Sequence, residues 1–218
     1  MPPDANVLSA EAVRRASAEM DLQLSQEQAD RLVGFAALLA KWNRVHNLTA
    51  VDTPSSVLSH HLLDSLSVVP ELSRIRAERG LRVLDVGAGG GLPGIPIAIA
   101  LPSATVTEID KVQKKTAFLQ HVRAELALAN VQVVHGRVED QGPDRYDVII
   151  SRAFASLADM VRKTAHLLAR DGVWAAMKGV FPAEEIGALP PTVQLVRAVK
   201  LRVPLLGAER HLVVLRPR

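Results

Sequence analysis

The sequence predicts an α/β protein built on a mostly parallel, seven-stranded sheet. From Leu81 onward, short apolar runs typical of strands alternate with helix-forming segments, the pattern of a parallel sheet with helices on both faces. The last two runs are joined through Pro204 and Gly207, a connection too short for a crossover helix, so they should form an antiparallel hairpin. Strands are expected near 81–86, 104–109, 131–135, 146–151, 172–178, 193–202 and 209–216. Helices are expected near 92–101, 111–128 and 156–169.

The first third of the chain is predicted to be helical. Residues 9–20 suit a short helix, and Ser25 with Gln28 resembles a capping box that opens a second helix running to about Val45. Thr53 and Pro54 look like the cap and first residue of a third helix that reaches about Val69. We therefore expect a helical extension over residues 1–75, packed on a sheet domain over residues 76–218.

A glycine loop follows the first predicted strand directly. The stretch from Val83 to Gly94 is Val-Leu-Asp-Val-Gly-Ala-Gly-Gly-Gly-Leu-Pro-Gly, and an apolar helix signal comes next. Glycines in such a turn let a ligand approach the backbone closely, and the start of a helix offers free N–H groups. A strand, a glycine turn and a helix in this order predict a nucleotide-type cofactor.

Two cofactors fit this loop. Gly89, Gly91 and Gly94 match the G-x-G-x-x-G pattern of NAD sites, with an acid, Asp110, 19 residues after Gly91. In the other interpretation Asp85 begins an Asp-x-Gly-x-Gly pattern, as in S-adenosylmethionine (SAM) methyltransferases, where the carboxylate orients the loop or reaches the methionine amino group. Prolines in the first helical turns remove N–H donors that a pyrophosphate would use. The acid and the prolines favour SAM.

Composition and charge narrow the class of protein further. The chain has 218 residues, 48% of them hydrophobic, and no apolar run reaches the roughly 18 residues of a membrane span. There are no cysteines, which excludes disulfides and thiolate sites, and the first residues do not resemble a signal peptide, so a cytoplasmic protein is expected. Residues 1–80 carry 8 basic and 10 acidic side chains, and residues 81–218 carry 18 and 13. The basic half is compatible with a polyanionic partner.

Six segments together identify a family resemblance that spans roughly residues 25–216. In order, they are Trp42–Thr49, His61–Ser65, Asp85–Pro96, Ser151–Ser156, Met177–Gly179 and Glu209–Val214. Their combination resembles the ribosomal RNA small-subunit methyltransferase G family, also called glucose-inhibited division protein B. The resemblance implies a Rossmann-like SAM-dependent methyltransferase fold. It also implies methyl transfer to N7 of one guanosine in 16S ribosomal RNA, as free RNA or within the small ribosomal subunit.

The resemblance also assigns cofactor contacts position by position. Gly87 and Leu92 match contacts in the glycine loop, Val138 and Glu139 match the pair that flanks the adenine, and Arg152 matches an arginine assigned to SAM. Asp110 takes the place of the acid that holds the ribose hydroxyls. The predicted cofactor residues are Asp85, Gly87, Gly89, Leu92, Asp110, Val138, Glu139 and Arg152.

The chain departs from the family pattern at two positions. His60 stands where the family commonly has an arginine, which puts an RNA or phosphate contact there in doubt. Glu108 stands where an apolar residue is more usual, two residues before Asp110. Alternate residues of a strand point to the same face, so Glu108 is expected to share or complicate the role of Asp110 at the ribose.

Candidates for contact with the acceptor are few, because only 3% of the residues are aromatic. Guanine N7 has a free lone pair and no proton to lose, so no catalytic acid or base is assigned. Phe154 could stack on a base presented in an open pocket or could simply be a core residue. Trp42 is more often a packing residue at a helix end. The basic candidates for RNA contact are Lys114, Arg137, Lys178 and Arg210, with a surface salt bridge as the alternative for Lys178.

Other interpretations of the chain remain open at this point. His46, His60, His61 and Asp64 could suggest a metal, but their spacing is unconvincing and no metal is expected; His61 and Asp64 should pair with each other or support the glycine loop. The alternatives to ribosomal RNA are a SAM methyltransferase of a small molecule or protein, an NAD-dependent oxidoreductase and a non-catalytic RNA-binding domain. A monomer is expected, although the sequence does not determine the oligomeric state.

Overall fold

A seven-stranded sheet forms the centre of the part of the chain that the structure describes. This structure is a computed structural model, and it describes residues 8–51, 53–75, 80–142, 145–152, 154 and 156–218. The strands lie in the order β3-β2-β1-β4-β5-β7-β6. Their bounds are β1 Arg82–Val86, β2 Thr105–Asp110, β3 Val131–His135, β4 Tyr146–Ser151, β5 Leu168–Lys178, β6 Val193–Leu201 and β7 Arg210–Pro217.

The pairing of the strands confirms the predicted fold class. Strands β1 to β5 pair in parallel, whereas β7 pairs antiparallel with both β5 and β6. The order reverses between β1 and β4, so the carboxyl ends of these two strands border a crevice, the place where ligands bind in open α/β sheets. The Oγ of Ser151, at the end of β4, donates a hydrogen bond of 2.8 Å to the carbonyl of Val86, which fixes these two ends side by side.

The helices agree with the predicted pattern, but several bounds differ. They are α1 Ala10–Ala18, α2 Gln26–His46, α3 Pro54–Val57, α4 Asp64–Leu66, α5 Val69–Ser73, α6 Gly94–Ala100, α7 Gln113–Glu125, α8 Leu157–Thr164 and α9 Ala183–Gly187. The third predicted helix is not continuous, because a π-helical segment over Leu58–Leu63 separates α3 from α4. Such single-turn π segments are frequent at functional sites.

The region between β4 and β5 corrects two predicted bounds. Helix α8 ends at Thr164, a 3-10 turn covers Ala165–Leu167, and β5 begins at Leu168 instead of near residue 172. The buried hydroxyl of Thr164 explains the early helix end, because it donates to the carbonyl of Met160 and accepts from the indole N–H of Trp174. Its attachment to β5 turns the chain into the strand.

The N-terminal helices share one apolar core with the sheet. Fully buried Leu32 and Phe35 of α2 and Leu62 of the π-helical segment belong to the same hydrophobic cluster as Val83 of β1 and Phe118 of α7. The predicted division between residues 75 and 76 lies beside residues 76–79, which are outside the described residues, and it stays a prediction. Within the described residues, no helix is both long and apolar enough to cross a membrane.

The capping box of α2 also joins the helices before the sheet, which we call the helical segment (α1 to α5), to the sheet region. Ser25 Oγ accepts from the N–H of Gln28 at 3.1 Å, and Gln28 Oε1 accepts from the N–H of Ser25 at 2.8 Å, as predicted. The Gln28 amide also donates to the carbonyls of Ile99 and Ala100, at 3.0 and 3.1 Å. These carbonyls lie at the C-terminal end of α6, where helices leave acceptors without partners.

Replacement of the capping serine should measure how much the capping box contributes to stability. Ser25→Ala removes the cap and should lower the free energy of unfolding by about 1 kcal/mol. Ser25→Asp is the matched control, because aspartate also caps helices and should keep the stability near wild type. Equilibrium unfolding in urea measures both variants, and equal stabilities for Ser25→Ala and wild type would contradict the role of the cap.

Candidate functional site

The glycine loop between β1 and α6 adopts a conformation that its glycines make possible. Gly87, Gly89 and Gly91 have φ values of 72°, 58° and 77°, in the left-handed region that side chains disfavour. The N–H groups of Gly87 and Ala88 donate to the carbonyl of Ile109, so the loop begins against the end of β2. A Cβ at Gly91 would lie 2.6 Å from Ile95 Cγ1, which shows how tightly this part of the loop packs.

Asp85, near the end of β1, orients this loop. Its side chain is buried, and Oδ2 accepts a hydrogen bond of 2.8 Å from the N–H of Gly94, the first residue of α6. Of the two predicted roles of Asp85, orientation of the loop is therefore present in the protein itself. A contact of Asp85 with a methionine amino group stays a prediction.

Asp110 holds the other side of the loop. Its Oδ2 accepts from the N–H of Gly89 at 3.0 Å and lies 3.6 Å from Lys115 Nζ, and its Oδ1 accepts from the N–H of Val112 at 2.9 Å. The carboxylates at the ends of β1 and β2 thus fix two backbone N–H groups of the same loop. The ribose contact assigned to Asp110 stays a prediction.

The loop leaves open space beside Gly89. A Cβ added at Gly89 would meet only the carbonyl oxygen of Gly87, at 3.7 Å, and Lys115 Nζ, at 3.9 Å, within the described residues. The exposed side of Gly89 is therefore a surface that a ligand can approach closely. The side chain of Leu92, in contrast, is buried in the core.

Glu108 does not reach the ribose side of the site. It points to the same face of β2 as Asp110, as predicted, but it is fully buried and faces Gly94 and Asp85. A Cβ at Gly94 would overlap Glu108 Oε1. The expectation that Glu108 shares the role of Asp110 was therefore wrong, because the helix start covers its carboxyl group.

The residues predicted to flank the adenine follow β3. Val138 is buried and Glu139 is partly exposed, in a 3-10 turn over Val138–Asp140. Glu139 Oε1 lies 3.5 Å from Arg137 Nη2 and 3.7 Å from Lys163 Nζ. Phe154 is partly buried beside the apolar cluster that includes Val138, with Lys163 Nζ 6.0 Å from its ring centre. Phe154 and the adenine pair therefore lie in the same region, and their ligand contacts stay predictions.

Asp64 joins the end of β4 to the start of β7. Its side chain is 3% exposed, and its Oδ2 accepts from Arg152 Nη1 at 3.1 Å while its Oδ1 accepts from Arg210 Nε at 3.0 Å. Arg152 Nη1 also donates to the carbonyl of His60 at 3.1 Å. One buried carboxylate of the helical segment thus holds two arginines of the sheet, an arrangement that we call the Asp64 clamp (Asp64, Arg152 and Arg210).

The Asp64 clamp lines a pocket of about 430 Å³. The pocket lies between the helical segment and the edge of the sheet where β4 and β5 end and β7 begins. Its lining comprises Thr49, Ala50, Val51, His60, His61, Asp64, Arg152, Met177, Lys178, Gly179 and Arg210. The charged side chains in this lining, three basic against one acidic, suit an electron-rich guest.

His61 and Asp64 do not pair as predicted. His61 Nε2 lies 2.8 Å from Thr49 Oγ1, whereas the Asp64 carboxylate is taken up by the two arginines. The π-helical segment ends between the two residues, so the regular three-residue spacing did not apply. Burial lowers the pKa of His61, which is therefore neutral at pH 7. No group of metal-ligating side chains occurs among the described residues.

Lys178 has a protein partner at the rim of the pocket. Its Nζ lies 3.0 and 2.9 Å from the two carboxylate oxygens of Glu185, and Glu185 Oε2 also accepts from the N–H of Leu157. Glu185 belongs to α9, which was not predicted. The sequence signal was Pro182 followed by Glu184 and Glu185, typical of a first helical turn.

The other RNA candidates lie at different places on the surface. Lys114 Nζ donates to the carbonyl of His46 at 2.9 Å, at the C-terminal end of α2. Arg137 is 65% exposed beside the adenine pair. Trp42 packs among the rings of Phe118, His46 and His121, with ring centres 5.0 to 5.6 Å away, which fits its packing interpretation. The pocket thus collects Lys178 and Arg210 but not Lys114 or Arg137.

The fold and the site define a class of protein. A sheet in the order 3-2-1-4-5-7-6, with an acid at the end of β1 and a glycine loop before α6, is typical of the Rossmann-like SAM-dependent methyltransferases. Solved structures agree: TrmN from Thermus thermophilus gives a TM-score of 0.55 at 22% identity, covering 78% of this chain and 55% of that chain. A ribosomal protein L11 methylase from Lactobacillus delbrueckii subsp. bulgaricus gives 0.56 at 15%, with 71% and 78% covered. At these identities the likeness concerns the fold.

Sequence comparisons identify the family. The model of the family described as rRNA small subunit methyltransferase G matches residues 28–213. The ribosomal RNA small subunit methyltransferase G of Neisseria meningitidis serogroup A is 49% identical over 208 residues, covering 95% of this chain and 98% of the relative. That of Burkholderia cenocepacia is 50% identical over 201 residues, with 90% and 87% covered. The chain belongs to the rRNA small subunit methyltransferase G family, and the resemblance stated from its motifs is confirmed.

Loss of the clamp carboxylate should impair methyl transfer even where the protein remains folded. Asp64→Asn keeps the size of the side chain but removes the charge that holds Arg152 and Arg210, so both arginines should shift. Because misplacement of about 1 Å in a site can cost about 100-fold in rate, we expect a loss of that order in kcat/KM. The readout is the initial rate of methyl transfer to small ribosomal subunits.

The matched control for this variant is Glu209→Gln, which removes an exposed carboxylate that pairs with Lys200. It should leave the rate near wild type. Circular dichroism shows whether each variant is folded. A folded Asp64→Asn variant with wild-type kcat/KM would contradict the role of the clamp.

Proposed function

We propose that this protein transfers the methyl group of SAM to N7 of one guanosine in 16S ribosomal RNA, as a cytoplasmic enzyme. The observation that carries the proposal is that the two halves of such a site adjoin along one edge of the sheet. The glycine loop follows β1, the pocket borders the ends of β4 and β5, and Arg152, which follows β4, lines the pocket. Membership of the family supports the choice of substrate, and the geometry of the loop and the pocket supports this arrangement of donor and acceptor.

The residues present fit the cofactor. Gly87 and Gly89 would accommodate it against the backbone, Asp110 would receive the ribose hydroxyls, and Val138 with Glu139 would flank the adenine. Bound SAM supplies an electrophilic methyl group on a sulfonium. The protein supplies orientation: the loop is held by Asp85 and Asp110 through fixed N–H groups, so little rearrangement is needed when the ligand arrives.

Methylation of N7 requires the pocket only to position the guanine. Guanine N7 attacks through a lone pair that carries no proton, so a general base is unnecessary. N7 and O6 are both hydrogen-bond acceptors of guanine. A donor on N7 would compete with the reaction, so Lys178 and Arg210 serve O6 or a neighbouring phosphate, and N7 remains free. Phe154 is the aromatic candidate for stacking on the base.

The helical residues before the sheet complete the acceptor side. Asp64, His60 and Thr49 line the pocket opposite the sheet edge, so the extension over residues 1–75 is proposed to shape the entry of RNA.

The enzyme is proposed to act as a monomer, because both halves of the site come from one chain. No metal ion is assigned a role in this proposal.

Methyl transfer from radiolabelled SAM to small ribosomal subunits of a strain that lacks the enzyme tests the function. We expect label on N7 of a single guanosine of 16S ribosomal RNA. Transfer to a different atom, or to a protein or small molecule in place of RNA, would contradict the proposed substrate and favour the alternative acceptors.

Gly87→Asp tests the assignment of the loop within the same assay. A side chain at φ 72° is strained, and a carboxylate there would meet the ligand, so both SAM binding and transfer should be lost. Gly187→Asp, at a glycine with open space around it, is the control and should bind SAM as wild type does. Unchanged SAM affinity in a folded Gly87→Asp variant, measured by calorimetry, would contradict the assignment.

A further inference from the structure

A pair of buried carboxyl groups lies beneath the cofactor loop. Asp85 and Glu108 are direct neighbours in the register of β1 and β2, so their side chains leave the sheet on the same face. They are 1% and 0% exposed. A Cβ added at Gly94 would overlap Glu108 Oε1 and lie 2.9 Å from Asp85 Oδ2, so both carboxyls converge on the first residue of α6.

Hydrogen-bond donors for this pair are too few. Asp85 Oδ2 accepts from the N–H of Gly94, but Asp85 Oδ1 and both oxygens of Glu108 have no hydrogen-bond partner among the described residues. Two ionised carboxylates in this place would repel each other without water to solvate them. A single proton between them removes one charge and creates the missing donor.

We infer that Glu108 is a positioning residue that stays protonated and donates a hydrogen bond to Asp85. Once Asp85 is ionised, this hydrogen bond stabilises its charged form and directs its Oδ2 to the N–H of Gly94. Glu108 thereby holds the loop in the shape that binds the cofactor. The inference goes beyond the proposed reaction and rests on that proposal only in taking the loop as the SAM site.

The charged surroundings agree with this location of the proton. Burial raises the pKa of Glu108 well above its ordinary value, and the neighbouring Asp85 raises it further. Burial also raises the pKa of Asp85, but the N–H of Gly94 and the positive charge of Arg152 oppose that rise, so the pKa of Asp85 reaches only about 7. Asp110 acts on Asp85 in the opposite sense, as a nearby negative charge. The donor and the cation favour the charged form on Asp85, so the proton belongs on Glu108.

The direction of the pH dependence follows from this arrangement. The folded protein retains a proton that an unfolded glutamate releases above its ordinary pKa of about 4.3. Stability therefore falls as the pH rises from that value to the raised pKa of Glu108, by about tenfold in the folding equilibrium constant per pH unit for each proton that the folded protein retains. Asp85, with a pKa of about 7, retains a second proton below that pH, so the loss of stability that belongs to Glu108 alone is the one above it. Above the raised pKa the pair carries two charges, and the affinity for SAM should fall as the loop loses its anchor.

The matched variant is Glu108→Gln, which keeps the shape and an N–H donor but cannot ionise. Two measurements on the protein without cofactor come first: the infrared band of a protonated carboxylic acid at pH 8, where Asp85 is largely ionised, and urea unfolding from pH 5 to pH 9. We expect the band in wild type and its loss in Glu108→Gln, with the pH slope of stability smaller by about one proton. Glu125→Gln, an exposed carboxyl on α7, should leave both unchanged.

Calorimetric titration with S-adenosylhomocysteine across the same pH range completes the test. The affinity should decline at alkaline pH in wild type but less in Glu108→Gln. The amino group of the ligand titrates equally in both experiments, so the ratio of the two affinities reports only the titration of the protein. Absence of the carboxylic acid band in wild type, or identical pH profiles for the two proteins, would overturn the inference. Because these readouts need no RNA, failure of the proposed methyl acceptor would leave them unaffected.

Discussion

The site depends on a hydrogen bond between a buried carboxylate and the first N–H group of a helix. Asp85 Oδ2 and the N–H of Gly94 are 2.8 Å apart, and this contact ties the end of β1 to the start of α6 across the glycine loop. The left-handed glycines can then turn the chain between two fixed points. The N–H of Gly89 donates to Asp110, so the loop is held by both strands on which it sits, and the proposed cofactor site is largely formed in the protein itself.

A second carboxylate, Asp64, connects the N-terminal helices to the ends of the sheet strands that line the pocket. Asp64 comes from the helical segment, whereas its partners Arg152 and Arg210 come from β-strand termini that are distant in sequence. A buried charge that holds two cations is costly to disrupt, because removal of one partner leaves the others unpaired. The helical segment is therefore part of the pocket lining as well as part of the core. Because all three residues line the pocket, this contact helps to set the shape of the pocket. It also fixes the orientation of the Arg152 side chain.

The fold could be predicted largely from sequence, because strand and helix periodicity, the capping box at Ser25 and the glycine loop are local signals. The site could be predicted as far as motifs reach: Asp85, Gly87 and Asp110 meet at one loop as expected. The partners of His61, Asp64, Lys178 and Glu108 could not be predicted. The π-helical segment changes the residue spacing before Asp64. The other partners depend on tertiary contacts: the short helix α9 brings Glu185 to Lys178, and the start of α6 covers Glu108. Spacing along the sequence does not contain these contacts.

A crystal structure with S-adenosylhomocysteine and guanosine monophosphate bound together would show directly whether donor and acceptor meet at the carboxyl ends of the sheet strands. We expect the adenosyl group along the loop over Gly87–Leu92 and the guanine in the pocket of the Asp64 clamp, with N7 facing the sulfur and free of protein donors. A guanine bound outside this pocket, or bound with N7 hydrogen-bonded to Arg152 or Arg210, would contradict it.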